Sequence, residues 1–331
     1  MKSLRLFFTL ITLIACVVAT EASTITLKFT SGRKVARIAV TTSDGKLTIE
    51  GATGTYKNVE WVDYQLTSSE VKLTGNITKL VCNNTGVTEI NAQGANQMTQ
   101  LIANDNRQLA KVNVTGCTEL QKMYLNGCAL TDIDISSCEK LATFFCYENK
   151  LKTLDVSKNT KMYWLDCGTN LLSEINVSNC PLLQVLYCSK NQISALDFSK
   201  CPKMIEVLCA ENKIKGEQMD KMIQSLPQRE KTDEAVVYII EKSSKTEGNV
   251  CTKTQVAKLV AKKWQVIALK ADDSFPYEGS DDADGIETIQ TDNNATPTQY
   301  YNVNGTQLQQ PTKGMNIIRM SDGRIVKRMM R

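Results

Sequence analysis

The chain contains no histidine. That absence removes Ser-His and Cys-His nucleophile activation, zinc sites built on imidazole, and imidazole proton transfer. No Gly-rich phosphate loop follows a strand-like run, so the nucleotide-binding fingerprints are missing too. Charge of one sign is scarce: 39 Lys and Arg against 35 Asp and Glu leave a net +4, too slight to argue for nucleic acid as a partner. Aromatic residues make up only 6% of the chain, so where they fall carries information.

Long apolar runs are absent after the N-terminus. Residues 1–22 read as a secretory signal: Lys2 and Arg5 supply a basic start, Leu6 to Ala19 an apolar core, and Thr20-Glu-Ala22 a small-residue cleavage site. The core is short for a membrane span. Leu13-Ile-Ala-Cys16 also fits the bacterial lipoprotein cleavage pattern, but Val-Val-Ala continues the apolar core beyond Cys16, which favours ordinary cleavage. No transmembrane span is expected once the signal is removed.

What the middle of the chain does contain is a repeat. Ile77, Met98, Leu120, Leu141, Met162, Leu183 and Met204 open seven successive turns of 21 or 22 residues. In the best copies apolar residues occupy positions 1, 4, 6, 11 and 14, with Asn at position 9, as in Leu183-Gln-Val-Leu-Tyr-Cys188-Ser-Lys-Asn191-Gln-Ile193. This is a leucine-rich repeat pattern with Cys in the usual position-6 Leu slot. The expected fold is a β-dominated α/β solenoid whose position-4-to-6 segments stack as strands of one parallel concave sheet. Asn106, Asn149, Asn170, Asn191 and Asn212 form a column whose amides can serve buried turn backbone. After each Asn comes Ile/Leu-Asp/Asn-Val/Ile/Phe-Ser, whose β-branched residues favour extended or tightly turned convex segments.

Twelve cysteines in an exported chain first suggest disulfides. Register argues otherwise. Cys82, Cys146, Cys167, Cys188 and Cys209 share position 6. Cys117, Cys138, Cys180 and Cys201 share a slot three residues before the next turn, where Asn159 substitutes. Parallel in-register thiols about 4.8 Å apart have the wrong torsion for a disulfide. They pack as small apolar residues instead. Cys128, in the Asn column, and Cys251, outside the array, stand apart from both ladders.

Residues 23–76 alternate in short strands, Ile25–Phe29, Ile38–Val40, Leu47–Ile49, Trp61–Leu66 and Val71–Leu73, and read as an N-terminal β cap. The repeats extend over 77–226. Within them, Gly216 to Leu226 has helical spacing and stops at Pro227. A strand at Ala235–Ile240, a helix at Thr252–Lys263 and a strand at Trp264–Leu269 make residues 227–271 an αβ cap continuing the sheet. Residues 272–295 are acidic and polar, a flexible linker. Asp282-Ala-Asp284-Gly285 matches part of a calcium loop, but Thr291 stands where the bidentate Glu is needed, so no metal or other cofactor is expected. Residues 296–331 read as a small β module with hairpin turns at Asn304-Gly305 and Asp322-Gly323.

Positions 3 and 5 of each strand point outward, with positions 2 and 7 beside them. On those columns Tyr124, Phe145, Tyr147, Tyr163, Trp164 and Tyr187 crowd four consecutive turns; of the array's eight aromatics only Phe144 and Phe198 point inward. An apolar patch with polar tips suits a protein ligand, and its rings could also stack on sugar. Cross-strand aromatic pairing for stability alone is the bland alternative, and cover of the patch by the N- or C-terminal region folding back is a third reading. Asp166 and Glu206, two turns apart with no sign of a cleft, are a poor basis for acid–base catalysis, so a binding protein rather than an enzyme is expected.

The array, with Cys at position 6 and Leu-Asp-Val-Ser after the Asn, resembles the internalin-like leucine-rich repeat proteins of bacterial cell surfaces over residues 77–214. Tyr300-Tyr-Asn-Val-Asn-Gly305, Lys313-Gly-Met-Asn-Ile-Ile318 and Asp322-Gly-Arg-Ile-Val-Lys327 look like the C-terminal sorting modules of type IX secretion cargo. Here Thr306-Gln307 stand where an Arg commonly follows the Gly. The resemblance implies export across a Gram-negative outer membrane through that secretion machinery, exposure at the cell surface, and adhesion to an extracellular protein, with surface glycan capture as the alternative.

Overall fold

The structure, a computed structural model, describes residues 22–271, 273–281, 297–302, 307–311, 314–321 and 325–330. The signal and lipoprotein readings, the partial calcium loop and both hairpin dipeptides lie on or largely on residues outside this set. The chain divides into two units, Met1–Gly279 and Ser280–Arg331.

The first unit opens with β1 (Ser23–Phe29), β2 (Val35–Thr42), β3 (Thr48–Glu50), β4 (Ala52–Thr53), β5 (Trp61–Leu66) and β6 (Glu70–Gly75). The array follows: β7 (Ile77–Val81), β8 (Val87–Asn91), β9 (Gln100–Ile102), β10 (Lys111–Asn113), then β11 (Lys122–Tyr124), β12 (Thr143–Phe145), β13 (Trp164–Asp166), β14 (Val185–Tyr187) and β15 (Glu206–Leu208). It closes with α1 (Glu217–Ser225), β16 (Val236–Glu241), α2 (Lys253–Ala261), β17 (Gln265–Lys270) and β18 (Asp273–Pro276).

Thirteen of these strands form one sheet, in the order β18-β17-β16-β15-β14-β13-β12-β11-β9-β7-β2-β5-β4. From β7 to β17 every neighbour is parallel; the two flanks are antiparallel. The short array strands occupy positions 3 to 5, not 4 to 6. Position 6 already turns inward, and its thiol is buried in all five Cys turns. On the convex side β10-β8-β1-β6-β3 form a second sheet, which carries the N-terminal cap around the first two turns.

Later convex segments are tight turns with a common cause. The Asp or Asn of each Leu-Asp-Val-Ser motif accepts a hydrogen bond from the backbone N–H two residues on: Ser136 to Asp134 at 2.9 Å, Ser157 to Asp155 at 2.8 Å, Ser178 to Asn176 at 3.0 Å, Ser199 to Asp197 at 2.8 Å. These Asx turns replace helices on the convex face. Position 8 bends the chain the other way, with positive φ at Asn84, Asp105, Gly127, Glu148, Thr169, Lys190 and Glu211. Thr169 is the only β-branched residue in that column, at φ 51, where its side chain is strained. Thr169→Asn is expected to raise stability by about 0.5 kcal/mol, read from the urea midpoint.

The core is continuous from Ile25 to Ala268. The Asn column runs through it: each Nδ2 donates to its own and the preceding position-6 carbonyl, and Oδ1 accepts a backbone N–H, as Asn191 does with Cys188 at 3.1 Å, Cys167 at 3.0 Å and Leu172 at 2.9 Å. Asn249, in the loop before α2, adds a further member that the repeat pattern does not reveal, accepting from Ile214 N at 2.8 Å.

All eleven cysteines from Cys82 to Cys251 are buried free thiols, Cys128 and Cys251 among them. Burial pushes Cys82 up to about 12 and Cys117, Cys128 and Cys180 to about 11, so none is an activated nucleophile. The second ladder has a polar task as well. Cys117, Cys138, Cys180 and Cys201 each donate a weak S–H bond to a carbonyl one turn back, Cys117 to Ala92 at 3.1 Å and Cys201 to Val177 at 3.4 Å. Asn159 donates likewise to Ile135 at 3.1 Å and Cys138 at 2.8 Å, but its Oδ1 is buried without a partner. Asn159→Cys removes that orphan acceptor and keeps one donor, so a gain of about 1 kcal/mol in unfolding free energy is expected.

The C-terminal cap continues the sheet as the apolar run at Ala235–Ile240 predicts. Helix α1 belongs with it: Lys258 pairs with Asp220 at 2.6 Å and Lys262 donates to the Gln224 carbonyl at 2.7 Å. The packing boundary therefore falls before α1, earlier than residue 227. The acidic stretch also starts later than residue 272, because Asp273–Pro276 pairs antiparallel with β17 and Lys242 sits 4.8 Å from the Phe275 ring. The second unit contains a four-stranded antiparallel sheet, β20-β19-β21-β22, from β19 (Pro297–Asn302), β20 (Gln307–Leu308), β21 (Gly314–Met320) and β22 (Ile325–Met330).

Candidate ligand-binding face

In-register stacking builds this face. Because neighbouring turns pair residue for residue, position 5 forms one column: Val81, Ile102, Tyr124, Phe145, Asp166, Tyr187 and Leu208. The cap lengthens it by Tyr238 and Ile267, paired with Leu208 and with each other. Tyr238 is a member of this column that the repeat pattern misses, because the period breaks after Ile214. The wholly apolar run Ala235–Ile240 gives no sign of it; the pairing of β16 on β15 places it.

Four of the six predicted aromatics form an unbroken series. Tyr124 and Phe145 stack with centroids 4.9 Å apart and planes at 24°; Phe145 meets Trp164 edge-on at 5.0 Å and 68°; Trp164 meets Tyr187 at 6.0 Å and 81°. Trp164 comes from position 3 and leans across the strand direction, bridging the two turns on either side of its own. All four rings are partly exposed. Their Cα scaffold is fixed by the sheet, so they are preordered for contact.

Tyr147 and Tyr163 do not join the ring series. Tyr147 stands at position 7 beside Asp166, and burial first, then the charges of Asp166 and Glu148, raises its phenol. Tyr163 precedes the strand and is 42% exposed at the rim. The position-2 residue thus projects to the edge of the face rather than onto it.

Polar groups are unevenly shared along this surface. Tyr187 donates its hydroxyl to Glu206 at 2.6 Å. Glu211 is paired with Lys190 at 3.5 Å. Asp166, alone among the apolar and aromatic members of its column, is raised to about 6, by burial first and then by the like charge of Glu148; the Gly168 N–H, 3.1 Å from its Oδ1, acts against that shift. The indole N–H of Trp164 is buried without a hydrogen-bond partner. A shallow groove elsewhere, lined by Asn176, Asp197, Gln218 and Lys221, involves none of these groups.

Strand order, the Asn column and the 21-residue turn together define a leucine-rich repeat solenoid. No family model matches the sequence, and no curated protein matches it. Among solved structures, the chain is similar to the functional domain of InlJ from Listeria monocytogenes, described as including a cysteine ladder, at 24% identity over 46% of this chain and 38% of that one, with a TM-score of 0.39. It is also similar to an internalin, InlF, from Listeria monocytogenes, at 15% identity over 54% of this chain and 57% of that one, TM-score 0.40. A third similarity is to the LRIM1/APL1C complex, at 16% identity over 53% and 29%, TM-score 0.36. The chain therefore spans less than two thirds of the length of each of these three structures. Among the described residues no helix is long and apolar enough to cross a membrane.

Proposed function

We propose that this chain is an exported, surface-exposed leucine-rich repeat protein that binds an extracellular protein along its concave aromatic stripe, and that it catalyses no reaction there. The observation that carries this reading is the continuous ring series from Tyr124 to Tyr187, held partly exposed along an otherwise largely apolar column that runs over nine strands. Rigid aromatics with polar tips, centred on an extended face, have the composition of an interface hot spot.

Ring orientation bears on the choice between protein and sugar. Stacking on a pyranose needs flat, accessible ring faces. Only the Tyr124–Phe145 pair is close to parallel, while the next two contacts are edge-on and leave a ridged surface. Such a surface interlocks with protein side chains better than it lies against a sugar. The N-terminal signal pattern supports export, and the sorting-like C-terminal sequence supports delivery to the surface by type IX machinery; adhesion to a host or neighbouring-cell protein is the purpose consistent with both.

The test is binding of the full chain to panels of extracellular-matrix proteins and glycans, beside the triple variant Tyr124→Ala, Trp164→Ala, Tyr187→Ala checked for folding by circular dichroism. A protein hit weakened at least tenfold in the folded variant is expected. Binding that survives the triple change would sink the proposal, and a glycan hit lost in the variant would replace it with carbohydrate capture.

A further inference from the structure

Glu206 and Glu211 on the concave face have their charge answered or occupied within the chain, and Asp166 does not among the described residues. Glu206 accepts the Tyr187 hydroxyl and Glu211 faces Lys190. Among the described residues Asp166 forms no ion pair and its Oδ2 has no hydrogen-bond partner; the Gly168 N–H donates to its Oδ1 at 3.1 Å. The charged group that acts on it is Glu148, of the same sign. Asp166 is half-buried, and its Oδ2 keeps some solvent exposure.

Its surroundings are aromatic. Phe145 and Tyr187 are its direct cross-strand neighbours, Trp164 is the preceding residue on the same face and touches both of those rings, and Tyr147 is close enough to feel its charge. A carboxylate set among rings, with a second acid beside it, is complementary to a cation. It offers two distinct attractions, a charge-assisted hydrogen bond and ring faces and edges for a delocalised cation to lie against. The guanidinium of arginine satisfies both, because it is planar, stacks on aromatic rings and presents several N–H donors to one carboxylate. A lysine ammonium, a strongly hydrated point charge, uses only the first well.

We propose that Asp166, with Phe145, Trp164 and Tyr187 around it and Glu148 adding charge, is a recognition site for an arginine side chain of the protein ligand. The site rests on the concave face being the binding face, and it names the ligand's chemistry: a segment that brings arginine, flanked by apolar residues, to the middle of the stripe. The apolar positions on either side, Ile102 and Tyr124 toward one end and Leu208 and Tyr238 toward the other, accommodate those flanks.

The test needs no identified ligand. The full chain, labelled with 15N, is titrated with Nα-acetyl-arginine amide, the neutral isostere Nα-acetyl-citrulline amide and Nα-acetyl-lysine amide. The indole N–H signal of Trp164 is followed, assigned by its loss in Trp164→Phe. Trp264, whose indole donates to the Pro227 carbonyl at 2.9 Å, gives an internal signal for the folded state. A saturable shift of the Trp164 signal with arginine, in the millimolar range or tighter, is expected, with citrulline and lysine at least tenfold weaker. In Asp166→Asn the arginine preference disappears while the Trp264 signal stays. No shift with arginine up to about 50 mM, citrulline or lysine binding as well as arginine, or a preference that survives Asp166→Asn would each overturn the site. The comparison of arginine with citrulline on the unaltered chain stands even if the variant misfolds. A protein ligand that is lost in the triple aromatic variant but shows no arginine preference would overturn this inference alone and leave the stripe as the binding face.

Discussion

Asn191→Ala is expected to cost about 3 kcal/mol of unfolding free energy, while Cys128→Ala, at the same position of a different turn, is expected to cost about 1 kcal/mol. The difference lies in what each side chain serves. Asn191 is the sole acceptor for the buried Leu172 N–H, and its two amide hydrogens go to the Cys167 and Cys188 carbonyls. Those carbonyls keep a second donor, from Asn170 and Asn212, so they lose part of their bonding while Leu172 N–H loses all of it. An orphaned buried donor costs about 1–3 kcal/mol, and the remaining loss comes from the two weakened acceptors and the void. Cys128 has no such duty. The corresponding backbone group, Leu109 N–H, bonds to the Asn106 carbonyl at 2.8 Å, and the thiol merely donates weakly to Ala103. Urea denaturation of the two variants beside the parent chain measures both. Equal costs would mean that the Asn column is packing rather than a hydrogen-bond ladder.

The second large effect has the opposite sign. Asp166→Asn is expected to stabilise the fold by about 2 kcal/mol near pH 7.5 and by nearly nothing at pH 4. Burial raises the Asp166 carboxyl from its ordinary value of 3.8 to about 6 in the folded chain. Between those values the folded state holds a proton that the unfolded state has released. Stability must therefore fall as pH rises through roughly pH 4 to 6, and the full cost of the buried charge is felt above that window. Asparagine keeps the shape and carries no charge, so the variant escapes the cost only where Asp166 would be ionised. Urea midpoints of both proteins from pH 4 to 8 read this directly, and parallel curves would refute it. The same carboxylate is the one placed to receive a ligand cation, and a group that lowers stability where it serves binding is a familiar trade in functional sites.

Residues bearing on the solenoid were readable along the chain because its local rules repeat. The 21-residue spacing, the inward thiols of both ladders, the Asn column and the outward aromatics all follow from which way successive side chains must point. Tyr124, Phe145, Trp164 and Tyr187 fell on outward positions for that reason, and the sheet brings their rings together. Other features were not legible. The register alone cannot say that Tyr163 stays at the rim while Trp164 leans over two turns, since that depends on side-chain torsions chosen by neighbouring rings. Tyr238 and Asn249 extend two columns from a segment with no repeat, and only the pairing of β16 on β15 reveals them. Asp166 read only as half of a poor carboxylate pair with Glu206, because desolvation is a property of what surrounds a group and not of its place in a pattern.

By itself, then, the sequence determined the repeat, its inward and outward faces, and the exclusion of imidazole chemistry, because these depend only on residue type and period. The tertiary structure alone decided which outward side chains touch, how far the cap prolongs the stripe, and which carboxylates are answered by a partner. Those outcomes depend on distances between residues a full turn or more apart in the chain, and such distances exist only once the turns have stacked.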